Sequence, residues 1–527
     1  MSERTGAGQR HSSPPDGALV PERPLRTGTA GSERPSRESG AAGSERPPTT
    51  KRCGQARAEG DDEVQQEAQR NESAGTGVSG QRIDPSDVGD ALAARAVAAA
   101  VVRDDLAARA AQLDDGDPLS GKRAEFVLDE AVYLDGNSLG ALPHAVPERV
   151  REVVAREWGE LRIRSWSESG WWTAPERIGD RIAPLLGAAP GQVVVGDSTS
   201  VNVFKAVVAA VRMADETGPA VDGVPRDEIL VDAATFPTDG YIAASAARLT
   251  GRTLRPVEAA RMPAEVSDRT AVALVNHVDY RTGRLNDLPG ITAALHEAGA
   301  FAVWDLCHSA GALPVGLDAH GVDLAVGCTY KYLNGGPGSP AYLYVRAEHQ
   351  PRFDSPLPGW NSHADPFGMD PAYVPAAGIE RGRVGTPDIL SLLALEAALE
   401  AWEGVAVEDV RAKSLALTDF FLECVRAYVP RGRVRSVTPE AHDERGSQVA
   451  LECAGAGEVM GELIRHGVIG DFRHPDVLRF GFTPLYTSFA DAERAARTLA
   501  EVLAYVPGDG SASAVAAGAT AQGPTTI

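Results

Sequence analysis

Apolar positions fall into short runs separated by polar turns, and between residues 193 and 345 the runs keep one rhythm. They cover 193–195, 229–231, 271–275, 301–304, 324–326 and 341–345. Each run is continuous rather than alternating, the mark of a strand buried on both faces. Helical spacing fills intervening stretches such as 201–213 and 288–298. Strand and helix in alternation predict an α/β fold: a large domain whose mostly parallel sheet is covered by helices on both faces. On such sheets, ligands sit at the carboxyl ends of the strands.

The pattern differs on either side. Asp84-Pro85 predicts a helix start, with the helix running through an alanine-rich stretch to about 113. Val132-Tyr133-Leu134 predicts a short strand that enters the polar turn Asp135-Gly136-Asn137-Ser138-Leu139-Gly140. Helices are expected around 145–160 and 175–186. From Ile389 the spacing predicts helices over 389–404 and 407–429, strands near 434–437, 448–453 and 477–482, and a last helix over 488–506. That order suits a smaller C-terminal α+β domain. Residues 1–82 hold no aromatic side chain and repeat Ala-Gly-Ser-Glu-Arg-Pro at 30–35 and 42–47. Such a segment buries too little apolar surface to offset its ordering entropy, so a disordered low-complexity extension is expected. The organisation expected is therefore an extension over 1–82, a helical and turn segment over 83–180, the large domain over 181–388, the small domain over 389–507 and a frayed tail over 508–527.

Composition narrows the function. The chain has 527 residues, 43% of them hydrophobic, and a formal net charge of −22. Residues 1–80 carry 11 basic and 12 acidic side chains, so the acidic excess belongs to the rest of the chain. An acidic body argues against a general nucleic-acid binder. No apolar run reaches the ~20 residues that span a bilayer, and residues 1–17 hold no signal-type apolar core. The five cysteines are scattered, with no metal-ligand spacing, and are expected to be reduced thiols of a cytoplasmic protein.

The candidate chemistry lies at the strand ends. After 193–195 comes Gly196-Asp197-Ser198-Thr199-Ser200-Val201-Asn202, a hydroxyl-rich helix start that is either a phosphate seat or an ordinary N-cap. After 229–231 comes Phe236-Pro237-Thr238-Asp239, whose aromatic either stacks on a flat ring or packs in the core. After 301–304 come Asp305 and, one helical turn on, His308; the carboxylate either binds a protonated ring nitrogen or caps the next helix. After 324–326 comes Lys331, followed by the glycine-rich Asn334-Gly335-Gly336-Pro337-Gly338. A lysine there is either a surface residue or an amine nucleophile in apolar surroundings. Together, on one sheet and in this order, these are the parts that pyridoxal phosphate needs: a phosphate seat, a stacking aromatic, an acid for the ring nitrogen and a lysine for the Schiff base.

The sequence resembles the kynureninase family of fold-type-I pyridoxal-phosphate enzymes, within the aminotransferase class V-like superfamily. The resemblance covers roughly 85–506. It rests on Tyr133–Gly140, Gly196–Asn202, Phe236-Pro237-Thr238-Asp239, Asp305-Leu306-Cys307-His308, Tyr330-Lys331-Tyr332-Leu333-Asn334, Pro358-Gly359-Trp360 and Gly385-Thr386-Pro387. It implies hydrolytic cleavage of the Cβ–Cγ bond of L-kynurenine, or of 3-hydroxy-L-kynurenine, to anthranilate or 3-hydroxyanthranilate and L-alanine. This is a step of tryptophan catabolism linked to NAD biosynthesis. The resemblance also assigns roles. Lys331, Tyr330 and Asp305 are catalytic. Thr199, Ser200, Phe236, Pro237, Thr238, Asp239, Asn276, Asp305, His308, Tyr330, Lys331, Trp360 and Thr386 bind cofactor, with Trp360 and Thr386 reaching the partner subunit's site in a homodimer. Asn137, Ser138 and Arg479 bind substrate, the arginine gripping its α-carboxylate. No metal is expected. Two other readings remain on the same fold. A cysteine desulfurase or selenocysteine lyase would need a reactive cysteine facing the cofactor. A non-catalytic relative should have lost Lys331 or Arg479. Cys307 and Cys328 read as small buried hydrophobes.

Overall fold

The computed structural model describes residues 85–506, apart from 221 and 222. The expected disorder of 1–82 and fraying of 508–527 lie outside the described residues. A two-residue strand, β1 (Val132–Tyr133), comes first. Seven strands then form one sheet: β2 (Val193–Val195), β3 (Glu228–Asp232), β4 (Thr253–Val257), β5 (Thr270–Asn276), β6 (Phe301–Asp305), β7 (Leu324–Gly327) and β8 (Tyr342–Val345). Their spatial order is β2-β8-β7-β6-β5-β3-β4. The pairs β7–β6, β6–β5, β5–β3 and β3–β4 are parallel, while β8 runs antiparallel to both β2 and β7. Every strand but β8 therefore points the same way, and their carboxyl ends share one edge.

The continuous apolar runs are explained by burial on both faces. Val194, Ile229, Val231, Val303, Val326 and Leu343 pack with Val203, Val207 and Ala210 of the helix Thr199–Thr217. Their neighbours Val193, Val195, Leu230, Trp304, Ala325 and Tyr344 face the other way, onto Ile178, Ile182, Ile291, Leu295 and Leu392. Each fully buried side chain of this size contributes ~1.5–3 kcal/mol. The helix Ala145–Glu152 continues as wider π-helical turns over Val153–Leu161, and the helix Ala174–Ile182 tightens to a 3₁₀ turn over Ala183–Leu186.

A second core belongs to the C-terminal part. The strands β9 (Arg435–Ser436), β10 (Gln448–Glu452), β12 (Asp471–Arg473) and β13 (Val477–Gly481) form an antiparallel sheet in the order β12-β13-β10-β9. It packs against the helices Val407–Tyr428, Ala456–Arg465 and Phe489–Tyr505 through Leu417, Phe421, Val459, Phe480 and Leu499. Leu106 and Ala110 of the helix Pro85–Asp115 and Val132 and Leu134 at β1 join the same cluster. β1 pairs in parallel with β11 (Val468–Ile469). The turn after β1 is thereby fixed between the small sheet and the loop beyond β7: Gly481 N–H donates to Leu134 O at 2.7 Å, and Gly140 N–H to Tyr330 O at 2.8 Å.

Candidate active site

The strand-end residues converge on one cavity. Its walls are Thr199, Ser200, Phe236, Thr238, Asp239, Asn276, Tyr280, Asp305, Cys307, His308, Tyr330 and Lys331. It is small, about 120 Å³, and a larger one of about 330 Å³ lies elsewhere around Lys205 and Arg383. The chemistry nevertheless gathers in the smaller one, where an amine, two carboxylates and a helix N-terminus face the same space.

Thr199 and Ser200 are the first residues of a 19-residue helix after β2. Ser198 is its cap, its hydroxyl accepting from Val201 N–H at 3.4 Å, so the next two hydroxyls stay available at the positive end of the helix. That arrangement suits a phosphate. Asp305 ends β6. Its carboxylate accepts from Asn276 Nδ2 at 2.8 Å and from Cys307 N–H at 2.7 Å. Asn276 Nδ2 also donates to Asp239 at 3.2 Å. Burial, reinforced by the Asp305 charge and hydrogen bond, raises the Asp239 pKa well above the carboxylate range. Asp239 therefore keeps its proton beside the Asp305 carboxylate.

Lys331 lies beyond β7, its Nζ 3.0 Å from His308 Nε2. Burial, and then the Lys331 charge, push the imidazole far below its usual range, so His308 is neutral. An ammonium can only donate. The hydrogen-bond network thus assigns His308 Nε2 as acceptor and the proton to Nδ1, and that buried Nδ1 has no protein partner. The Tyr330 phenol is pushed upward, first by neighbouring Cys328 and then by burial, and stays in its acid form. Phe236 is half-exposed on the wall and meets Tyr280 edge-on, ring centroids 5.2 Å apart.

The expected substrate residues form an adjoining corner. Arg479, on β13, is 1% exposed; its Nη1 donates to Tyr280 O at 2.8 Å and its Nη2 to Ser138 Oγ at 2.7 Å. It also pairs with Asp471, which holds Arg473 at 2.7 Å. Asn137 donates to Gln448 Oε1 at 3.0 Å, and Gln448 in turn donates to Tyr280 O at 3.1 Å. Pro237 is the first residue of the helix Pro237–Thr250 and is not on the cavity wall. Thr386 and Trp360 are not on it either: Thr386 lines the larger cavity, and Trp360 packs beside Trp172 with centroids 5.7 Å apart. Tyr280 and Cys307 are wall residues absent from the expected set. Both lie just past strand ends, β5 and β6, and the carboxyl-end rule would have reached them.

The residues present fit pyridoxal phosphate: an amine, a hydrogen-bonded carboxylate at a strand end, and two hydroxyls at a helix N-terminus. Among known proteins, the family described as the kynureninase C-terminal domain matches residues 410–499. The kynureninase of Deinococcus radiodurans is 50% identical over 398 residues, spanning 74% of this chain and 95% of that protein. The cysteine desulfurase CsdA of Escherichia coli shares the fold, with a TM-score of 0.62 at 20% identity over 74% of this chain and 99% of its own. So does a C-DES variant carrying glycine covalently linked to its PLP cofactor, with a TM-score of 0.61 at 18% identity over 72% of this chain and 98% of its own. At these identities the last two speak for the fold alone.

Proposed function

The chain belongs to the kynureninase family, and from that premise we propose that it hydrolyses the Cβ–Cγ bond of L-kynurenine, or of its 3-hydroxy derivative, giving anthranilate or 3-hydroxyanthranilate and L-alanine. The observation that carries the reading is the single cavity shared by Lys331, the Asp239–Asp305 pair and the Thr199–Ser200 helix start. Bound pyridoxal phosphate supplies the electron sink that lets the bonds at the substrate's α- and β-carbons break.

The chain's own residues do the rest. Lys331 anchors the cofactor aldehyde and, once released, carries a proton to and from the substrate α-carbon. Asp305, aimed by Asn276 and the Cys307 N–H, holds a proton at the cofactor ring nitrogen. Asp239 supports it through Asn276, whose Nδ2 donates to both carboxylates. Thr199 and Ser200 bind the phosphate. Phe236 covers one face of the ring, and Tyr330 is the proton donor at the reacting carbonyl. Neutral His308 accepts from the Lys331 amine and keeps it aimed. Arg479, held by Ser138 and the Tyr280 carbonyl, receives the substrate α-carboxylate, with Asn137 and Ser138 beside it on the substrate.

We read the enzyme as a homodimer in which Trp360 and Thr386 serve the other subunit's site, since neither lines the cavity of its own chain. Cytoplasmic residence is supported by Cys307, Cys328, Cys424 and Cys453 all being free thiols. The route served is breakdown of tryptophan through kynurenine. Cysteine desulfuration on the same fold keeps one observation in its favour, the Cys307 thiol on the cavity wall.

The test is direct. Purified chain with pyridoxal phosphate and L-kynurenine should release fluorescent anthranilate. Lys331→Ala should lower kcat by about 10³-fold or more and remove the visible absorbance of bound cofactor. Arg479→Ala should chiefly raise KM, by about 10–100-fold for a lost charged hydrogen bond. Cofactor binding with neither anthranilate from L-kynurenine nor 3-hydroxyanthranilate from its 3-hydroxy derivative would overturn the reading, and sulfide release from L-cysteine would replace it with the second one.

A further inference from the structure

Two thiols that the proposed reaction does not use meet beneath the cofactor cavity. Cys307 lies just past β6 and Cys328 just past β7, which are parallel neighbours in the register Asp305↔Val326. Leu306 N–H still donates to Val326 O at 2.8 Å, so the ladder extends past the strand end and brings residues 307 and 328 side by side. Cys328 N–H donates to Cys307 Sγ at 3.3 Å, and the Cys328 thiol lies 3.8 Å from Cys307 O. On its other side Cys307 is 3.9 Å from Thr199 Oγ1 and forms part of the cavity wall. Cys328 is 2% exposed. One thiol is thus reachable through the cavity, and the second stands directly behind it.

We propose that Cys307 and Cys328 are a redox-sensitive dithiol, which a peroxide converts to an intramolecular disulfide when the cofactor cavity is open. In the first step the Cys307 sulfur takes one peroxide oxygen. The S–O bond forms, the O–O bond breaks, and the departing oxygen leaves as water with the thiol proton. In the second step the Cys328 sulfur displaces that oxygen from Cys307. The S–S bond forms, the S–O bond breaks, and a second water carries away the Cys328 proton. The dithiol loses two electrons and one hydrogen peroxide gains them.

The surroundings favour this chemistry. Burial opposes charge on Cys328, but the Cys307 thiol and the Lys331 charge outweigh it and lower the Cys328 pKa, while the same hydrogen bond and burial push the Cys307 thiol well upward. The thiolate of the pair therefore rests on Cys328, and Cys307 becomes nucleophilic by handing its proton to that adjacent sulfur. The consequence lies two and three residues on. A bond that pins Cys328 to Cys307 also pins the segment bearing Tyr330 and Lys331, and cofactor uptake weakens. Conversely, a group filling the cavity covers Cys307 and protects it; this arm alone rests on the pyridoxal-phosphate reading.

The experiment treats the full chain with hydrogen peroxide, with and without pyridoxal phosphate, then alkylates the remaining thiols and cleaves at aspartate. Asp318 and Asp323 separate the two cysteines, which share one tryptic peptide. The expected result is loss of two of the five thiols, a mass decrease of about 2 Da, one cross-linked peptide pair holding 307 and 328, and reversal by dithiothreitol. Cofactor at tenfold its dissociation constant should slow the loss about tenfold. Cys307→Ala and Cys328→Ala should each abolish the cross-link. Retention of all five thiols, a cross-link through Cys53, Cys424 or Cys453, or oxidation of Cys307 to a sulfinic acid with Cys328 still free overturns the proposal. If cofactor absorbance develops but the oxidation rate is unchanged, the thiol does not face the cofactor and the protective arm falls. If the absorbance never develops while the cross-link forms, the cofactor reading falls and the dithiol stands.

Discussion

Asp135 illustrates how a single side chain ties the site to stability. It lies just past β1, in bridge with Gly481, and its buried Oδ1 has no partner. Burial, and then the Asp471 charge, raise its pKa to about 6, against smaller opposing effects from Ser138, Arg479 and Arg473. A raised carboxyl binds a proton in the folded state that the unfolded chain has already released. Its contribution is therefore greatest at low pH, falls as pH rises from about 4 to about 6, and is constant above that. Asp135→Asn removes the titration. The stability difference between variant and wild type, from urea unfolding at a series of pH values, should shift in the variant's favour by ~2 kcal/mol across that window. An unchanged difference would mean that Asp135 titrates normally. At this scale the sequence was informative wherever a polar residue directly succeeds an apolar run, as with Asp305, and Lys331 gained its meaning from the same edge. Cys307 has the right place, two residues past β6, but a cysteine in Asp-Leu-Cys-His reads as a small hydrophobe, and its chemistry shows only when the neighbouring strand brings Cys328 beside it. Trp360 and Thr386 entered through family resemblance alone, and no local pattern marks them.

Strands that lie in the middle of the sheet could be read because both of their faces are apolar. β4 could not: it is the edge strand, its sequence Thr-Leu-Arg-Pro-Val is mostly half-exposed or exposed, and Pro256 is tolerated only where a ladder donor is not needed. The reversed direction of β8 was equally hidden, since an apolar run carries no sign of its direction. The helix Ala456–Arg465 and the short strands β11 and β12 escaped as well; at two and three residues, the strands owe their pairing to tertiary neighbours. The turn Asp135–Gly140 stands out in the sequence as a motif, but its purpose shows only in packing. A Cβ at Gly140 would collide with Lys331 O and with Asn334. Gly140→Ala must displace the backbone of the catalytic lysine, so it should lose ~1–3 kcal/mol in chemical unfolding and weaken cofactor binding in an absorbance titration. Gly121, with nothing within 4 Å of its would-be Cβ, is the control: Gly121→Ala should change neither. If both substitutions were equally silent, the turn would not be setting the lysine loop.

For the molecule as a whole, the apolar pattern reveals the two kinds of architecture but not how the N-terminal helix is used. Pro85–Asp115 packs with the C-terminal helices, where Leu106 and Ala110 meet the cluster around Phe421 and Leu499. That contact spans more than 300 residues of sequence and leaves no local trace. The same limit would apply across the proposed dimer: within the chain, Thr386 and Trp360 lie away from the cavity that the family resemblance assigns them to. Trp360, Phe367 and Met369 are exposed together, an apolar surface of the kind a second copy covers. If Thr386 completes the partner's phosphate seat, a Lys331→Ala subunit and a Thr386→Ala subunit are each defective alone but complementary together. In the hybrid dimer one site carries both defects, while the other takes its lysine from one subunit and its threonine from the other and is intact. Random mixing of equal amounts after reversible unfolding gives half hybrids, each with one working site, so anthranilate release should recover to about a quarter of the wild-type rate. If Thr386 acted within its own chain, every site in the hybrid would carry one defect, and mixing would restore nothing beyond the average of the two parents. The recovered rate therefore distinguishes a shared site from two self-contained ones.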